Sequence, residues 1–173
     1  MDKTWDSSRL STGERSELKR NAGKKFGDDM RAMEVFYRAC TYGGMSAKRE
    51  EICFSMACLE CMWRAEDHPT VISMEELLCK WYNDPETSNS GQRRIVSLMD
   101  IEWGEDGYLL GKLHNVICIC KSKWPDIMPD FEALANDLMQ WNSGERYVQR
   151  RWLRTICMRV NIESEMGETF NVD

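Results

Sequence analysis

The chain has 173 residues, of which 42% are apolar and 30% charged, with four prolines and a net charge of −6. That length suits one domain with a sizeable core, and the composition excludes collagen-like, low-complexity and disordered classes. No apolar run reaches the roughly 18 residues that span a bilayer, and the N-terminus has no secretory h-region, so a soluble cytoplasmic protein is expected.

Helical periodicity runs through nearly the whole chain, without strand-like alternation or an Asn-Gly hairpin signal. A first short helix is expected after Thr12, ending near Gly23. A second covers about 28–42 and carries Met30, Met33, Phe36 and Tyr37 at helical spacing. The third, about 46–65, is apolar almost all round from Ile52 to Trp63, the pattern of a helix buried inside a bundle. Ser73 and Glu76 make a capping box that opens a short helix ending near Tyr82. The polar stretch Asn83–Gly91 follows. It divides an N-terminal half, 1–83, from a C-terminal half, 92–160, with 84–91 as linker or surface loop. Further helices are expected over about 91–100, 105–122, 129–141 and 144–160, with Pro129 near the first turn of its helix. Residues 161–173 read as a frayed acidic tail. The expected fold is all-α, a compact bundle of about seven to eight helices in two packed halves.

Charge is unevenly spread. Residues 1–27 carry +3, 28–92 carry −6, 93–159 carry +1 and 160–173 carry −4. Such asymmetry is compatible with one anion-binding face on an acidic body.

The cysteines and acids offer little chemistry. Cys53, Cys58, Cys61, Cys118, Cys120 and Cys157 fall inside apolar helical stretches, where free cysteine acts as a small hydrophobe. Cys58 and Cys61 have CxxC spacing, but a zinc site needs two further ligands. Cys118 and Cys120 are spaced wrongly, and His68 and His114 form no HxxxH pair. No metal or cofactor is expected. Walker A, GxGxxG, GxSxG, HExxH and EF-hand patterns do not occur. Adjacent acids such as Glu50 and Glu51, or Glu75 and Glu76, do not converge on a helix. Two histidines leave little material for proton transfer near neutral pH, so the expectation is a protein that is not an enzyme.

The informative segment is Glu145–Arg159. At 100° per residue, Val148, Trp152, Leu153, Ile156, Cys157 and Val160 gather on one side, while Arg146, Arg150, Arg151 and Arg154 spread over the other. Arg159 falls near the apolar edge, where its stem can snorkel. Clustered guanidinium groups repel one another unless an anion lies outside the helix, and their planar fork suits phosphate. A solvated face, or pairing with acids of a neighbouring helix, is the competing reading. Arg93, Arg94, Lys112 and Lys121 could extend the stripe, whereas Lys19 and Arg20 equally complement a helix C-terminus. A helix–turn–helix over 129–160 is a further possibility, although Glu145, Arg146 and Gln149 are few base-reading groups for its second helix.

The order and spacing of several segments resemble the CasB family, the small subunit of the type I-E CRISPR Cascade surveillance complex. They are Leu10–Gly13, Leu18–Arg20 with Gly23, Phe36–Arg38, Gln92–Leu98, Gly111–Leu113, Pro129–Phe131, Asp137–Trp141 and Val148–Arg154. The resemblance implies a two-part helical bundle present as two copies, head to tail. It implies packing against the backbone subunits that hold guide RNA, and contact with the large subunit. It also implies a role in holding opened target DNA, stabilising the R-loop without nuclease activity. Arg38, Arg93, Arg94, Lys112, Lys121, Arg150, Arg151 and Arg154 match or neighbour the family's basic positions. The acidic total departs from that pattern and points to affinity supplied mainly by an assembled complex. The alternatives are a helix–turn–helix DNA-binding regulator and a helical protein–protein adaptor.

Overall fold

The computed structural model describes residues 4–168 apart from 42, 65 and 105, with side chains described through residue 158. Eight α-helices follow in order among the described residues: α1 Thr12–Arg20, α2 Met30–Ala39, α3 Ala47–Glu60, α4 Met74–Tyr82, α5 Asn89–Leu98, α6 Tyr108–Lys123, α7 Phe131–Met139 and α8 Tyr147–Glu168. The all-α expectation holds, with one addition. Strand β1 (Thr70–Ile72) pairs in parallel with β2 (Ile127–Pro129), in the register Thr70–Ile127, Val71–Met128 and Ile72–Pro129.

Short polar residues start most of these helices, because a side-chain oxygen satisfies an amide that the first turn leaves free. Ser11 with Glu14, and Ser73 with Glu76, make reciprocal capping boxes. Asp29, Ser46, Ser88 and Asp130 cap α2, α3, α5 and α7 from one side only. Pro129 is therefore not inside a helix. It ends β2, and Asp130 behind it accepts from the Ala133 N–H.

Helix α3 is buried nearly all round from Ile52 to Leu59, as its composition indicates, and it packs chiefly on α7 and α1. Helix α8 lies along α4. One hydrophobic core runs from Trp5 to Ile156 and takes residues from both sides of the 84–91 stretch. At one end of it, Trp141 and Trp152 meet edge to face at 5.2 Å, a geometry that aromatic quadrupoles favour. Each indole N–H is satisfied: Trp141 donates to the Ile101 carbonyl at 2.7 Å and Trp152 to Asp137 at 2.9 Å.

Three expectations are corrected. Met30 and Tyr37 are exposed on α2, which turns only Ala32, Met33, Val35, Phe36 and Ala39 inward. Cys157 is exposed rather than part of the apolar side of α8, where Val148, Trp152 and Ile156 do the burying. The backbone of α8 continues through the expected acidic tail as far as Glu168, while residues 169–173 lie outside the described ones.

Candidate nucleic-acid interface

Helix α8 begins abruptly. Arg146 takes a left-handed backbone, φ 50°, and Ser143 Oγ accepts from the Tyr147 N–H at 3.3 Å. With Val148, Trp152 and Ile156 held in the core, the opposite side must face water. Arg146, Arg150 and Arg154 stand there at successive turns, all exposed. A rise of 1.5 Å per residue spaces them by about 6 Å.

Their surroundings differ. Arg146 Nη1 reaches Asp100 Oδ1 at 3.4 Å, which ties the start of α8 to the segment after α5. Arg150 and Arg154 have no carboxylate partner among the described residues. Arg151 is not part of the exposed row. Its guanidinium is half-buried, bonds Asp137 of α7 and lies 3.4 Å from Glu75 of α4. Burial depresses its ionisation, but Asp137 and Glu75 outweigh it and leave Arg151 more firmly charged than a free arginine.

The other expected cations divide in the same way. Arg93 and Arg94 lie in the middle of α5, not at its start, and are exposed without a carboxylate partner among the described residues. Lys19 is likewise exposed and unpaired in that sense. Arg20 is bonded to Glu17, and Arg38 to Glu14 at 2.6 Å with Glu34 at 4.0 Å. Lys112 lies 5.0 Å from the centre of the Tyr108 ring, and Lys121 5.2 Å from that of Trp63. Both are cation–π distances. Arg159 lies beyond the described side chains.

Sequence reasoning missed Lys123, whose ammonium binds Asp84 and sits 3.4 Å from Glu86 in the α4–α5 connection. No local spacing could have revealed that pair, because its members come from different elements. Also missed was Tyr147, exposed beside the arginines.

Other chemistry finds no assembled site among the described residues. Cys53, Cys58, Cys61, Cys79 and Cys120 are buried cysteines outside any disulfide. Burial pushes Cys53 up to about 12 and Cys61 to about 11, which leaves both protonated at neutral pH and poor as nucleophiles or ligands. Among the described residues, no group of three or more His, Cys, Asp or Glu is placed to hold a metal ion. No described helix is long and apolar enough to cross a membrane. The helix–turn–helix reading loses two of its three base readers: Gln149 is buried, with its amide nitrogen donating to the Trp141 carbonyl at 2.7 Å, and Arg146 is engaged by Asp100, which leaves only the exposed Glu145.

The family model described as CRISPR-associated protein Cse2 matches residues 14–155. Among solved structures, the chain resembles CasB from M. ruber, with 19% identity over 95% of this chain and 92% of that one and a TM-score of 0.71. It also resembles a Cse2-family protein from Thermus thermophilus, at 23% identity, 84% and 85% coverage and a TM-score of 0.66. A chain of a CRISPR RNA-guided surveillance complex matches at 16% identity, 92% and 89% coverage and a TM-score of 0.69. No curated protein sequence matches.

Proposed function

The chain belongs to the CRISPR-associated Cse2 family, and we propose that it is the non-catalytic small subunit of a type I-E Cascade effector, where its arginines hold nucleic-acid backbone and stabilise the R-loop. Its partners in this reading are guide RNA, target DNA, the backbone and large subunits, and a second copy of itself placed head to tail. The observation that carries the reading is a set of exposed arginines, Arg93, Arg94, Arg150 and Arg154, left without carboxylate partners among the described residues of an acidic chain. An acidic protein could have neutralised them internally, as it does Arg20, Arg38 and Arg151. Leaving them free costs little in water and keeps them available to phosphate.

Exchanging a DNA duplex for an RNA–DNA hybrid is nearly balanced in free energy, so a few backbone contacts decide how long the opened state lasts. Guide pairing already reads the sequence. Phosphate-directed arginines are therefore sufficient, and base-edge readers are not needed. Arg38 and Arg151, whose carboxylate partners lie within the chain, are not available to an outside partner of either kind.

The test replaces Arg150 and Arg154 by alanine and follows R-loop lifetime in the reconstituted effector. A shortened lifetime with normal assembly supports the proposal. Lost assembly with unchanged lifetime in the complexes that do form supports the adaptor. Protection of a defined duplex site by the isolated chain would support the regulator.

A further inference from the structure

We propose that Tyr147 is a stacking platform for one base of a single-stranded nucleic acid whose phosphates lie along Arg150 and Arg154. The inference deepens the reading of α8 as a nucleic-acid surface and rests on it.

Tyr147 is 58% exposed, although the aromatic residue five positions on, Trp152, is fully buried. Its position is fixed. The Ser143 hydroxyl holds its backbone N–H, and the left-handed Arg146 before it sets where the helix starts. The Arg151 guanidinium carbon sits 6.0 Å from the ring centre, and Asp137 and Glu75 prevent that guanidinium from swinging away. The ring is thus backed by an anchored cation, with more than half of its surface left open.

Helical geometry sets what lies beside it. At 100° per residue, Arg154 falls within about 20° of Tyr147 and about 10 Å further along the axis. Arg150 lies between them along the axis, roughly 60° to one side. An open aromatic ring followed by two unpaired arginines offers a π-face for a base and cations for the phosphates that follow it. Bases inside a duplex are covered on both faces by their neighbours, so only an unstacked strand can use such a ring. Every base has a π-face, so the contact is blind to sequence. The unpaired Arg150 and Arg154 beside the ring call for an anionic occupant, which a nucleic-acid strand supplies with its phosphates.

The test uses the full-length chain at about 0.01 M salt, where the Debye length of about 30 Å maximises phosphate attraction. Binding of a labelled oligothymidylate is compared with that of an abasic deoxyribose-phosphate strand of the same length, by anisotropy. Tyr147→Ala is expected to weaken oligothymidylate binding roughly five- to hundredfold and to leave the abasic strand unaffected, while Tyr147→Phe binds as the unaltered chain does. The paired change R150A/R154A is expected to weaken both strands. An equal effect of Tyr147→Ala on both strands, or none on either, overturns the stacking proposal and leaves the charge reading standing. If Tyr147→Ala spares both strands but impairs co-assembly with other subunits, the ring is a protein contact and the proposal fails. If R150A/R154A changes neither strand, or the unaltered chain binds neither, the nucleic-acid reading of α8 falls and the stacking proposal with it. Circular dichroism confirms that each variant is folded.

Discussion

At the corner where α1 meets α2, Arg20 and Arg31 share Glu17, and Arg38 lies against Glu14 and Glu34. On the outer face of α8, Arg150 and Arg154 have no such neighbours among the described residues. The two regions use the same side chain for different ends. Exposed ion pairs contribute little stability, so the α1–α2 pairs chiefly cancel the field that their arginines would project. The α8 row leaves its field uncancelled. A partner rich in phosphate will sense the second region and largely ignore the first.

The most severe way to break the contrast is to remove what holds α8 in place. Trp152→Ala deletes a fully buried indole that packs on Trp141 and bonds Asp137. Losing an aromatic of this size from a core costs about 3–5 kcal/mol, to be read in chemical denaturation, and the arginine row should lose its alignment with it. Asp137→Ala is a milder change. It leaves the Trp152 N–H and the Arg151 guanidinium without their acceptor, at about 1–3 kcal/mol. Combined with Glu75→Gln, which removes the other carboxylate beside Arg151, it frees Arg151 to join the exposed row, so affinity for single-stranded DNA should rise while stability falls.

Moving the contrast to the other corner is a third test. Glu14→Gln with Glu17→Gln uncouples Arg20 and Arg31 from their shared acid and Arg38 from the nearer of its two, leaving it only Glu34 at 4.0 Å. The altered corner should then bind polyanions more tightly, with a steeper dependence on salt, while Arg93→Ala with Arg94→Ala weakens binding.

The smallest effect is on acid stability. Glu14 is held below its ordinary value of 4.5 chiefly by the Ser11 N–H and hydroxyl, with Arg38 adding to them. Its contribution is complete above that ordinary value and is lost as pH falls through the lower folded-state value. Asp84, lowered mainly by Lys123, behaves alike. In Glu14→Gln and Asp84→Asn, unfolding should therefore depend less steeply on pH below about 4 than in the unaltered chain.

Much of this architecture could be read from local spacing, and what could not depends on partners distant in sequence. The capping box of Ser73 and Glu76 and the buried face of α6 need only a few neighbouring residues to be recognised. Leu109, Leu113, Val116, Ile117 and Cys120 all turn inward as their periodicity requires. The β1–β2 pair was invisible because each strand has three residues, too few for alternation, and their pairing is parallel between remote segments. Pro129 suits the first turn of a helix by local rules, yet the Ile72 carbonyl accepts from the Asp130 N–H and draws the chain into the sheet. The arginines show the same limit. Helical phase separates Arg151 from Val148, but it could not show that Asp137 and Glu75 wait on two other helices to claim it. Tyr147 carries no local signal of its exposure, because tyrosine is intermediate between core and surface and only the packing of α8 decides which side it takes.

The claim that matters most is that Arg150 and Arg154 meet phosphates. The sharpest test measures how the dissociation constant of the reconstituted effector for its DNA target depends on salt, alongside R-loop lifetime, with and without those two arginines. The account predicts a log–log slope shallower by roughly 0.7–0.9 for each arginine removed, together with a shorter lifetime. Equal slopes and equal lifetimes would contradict it.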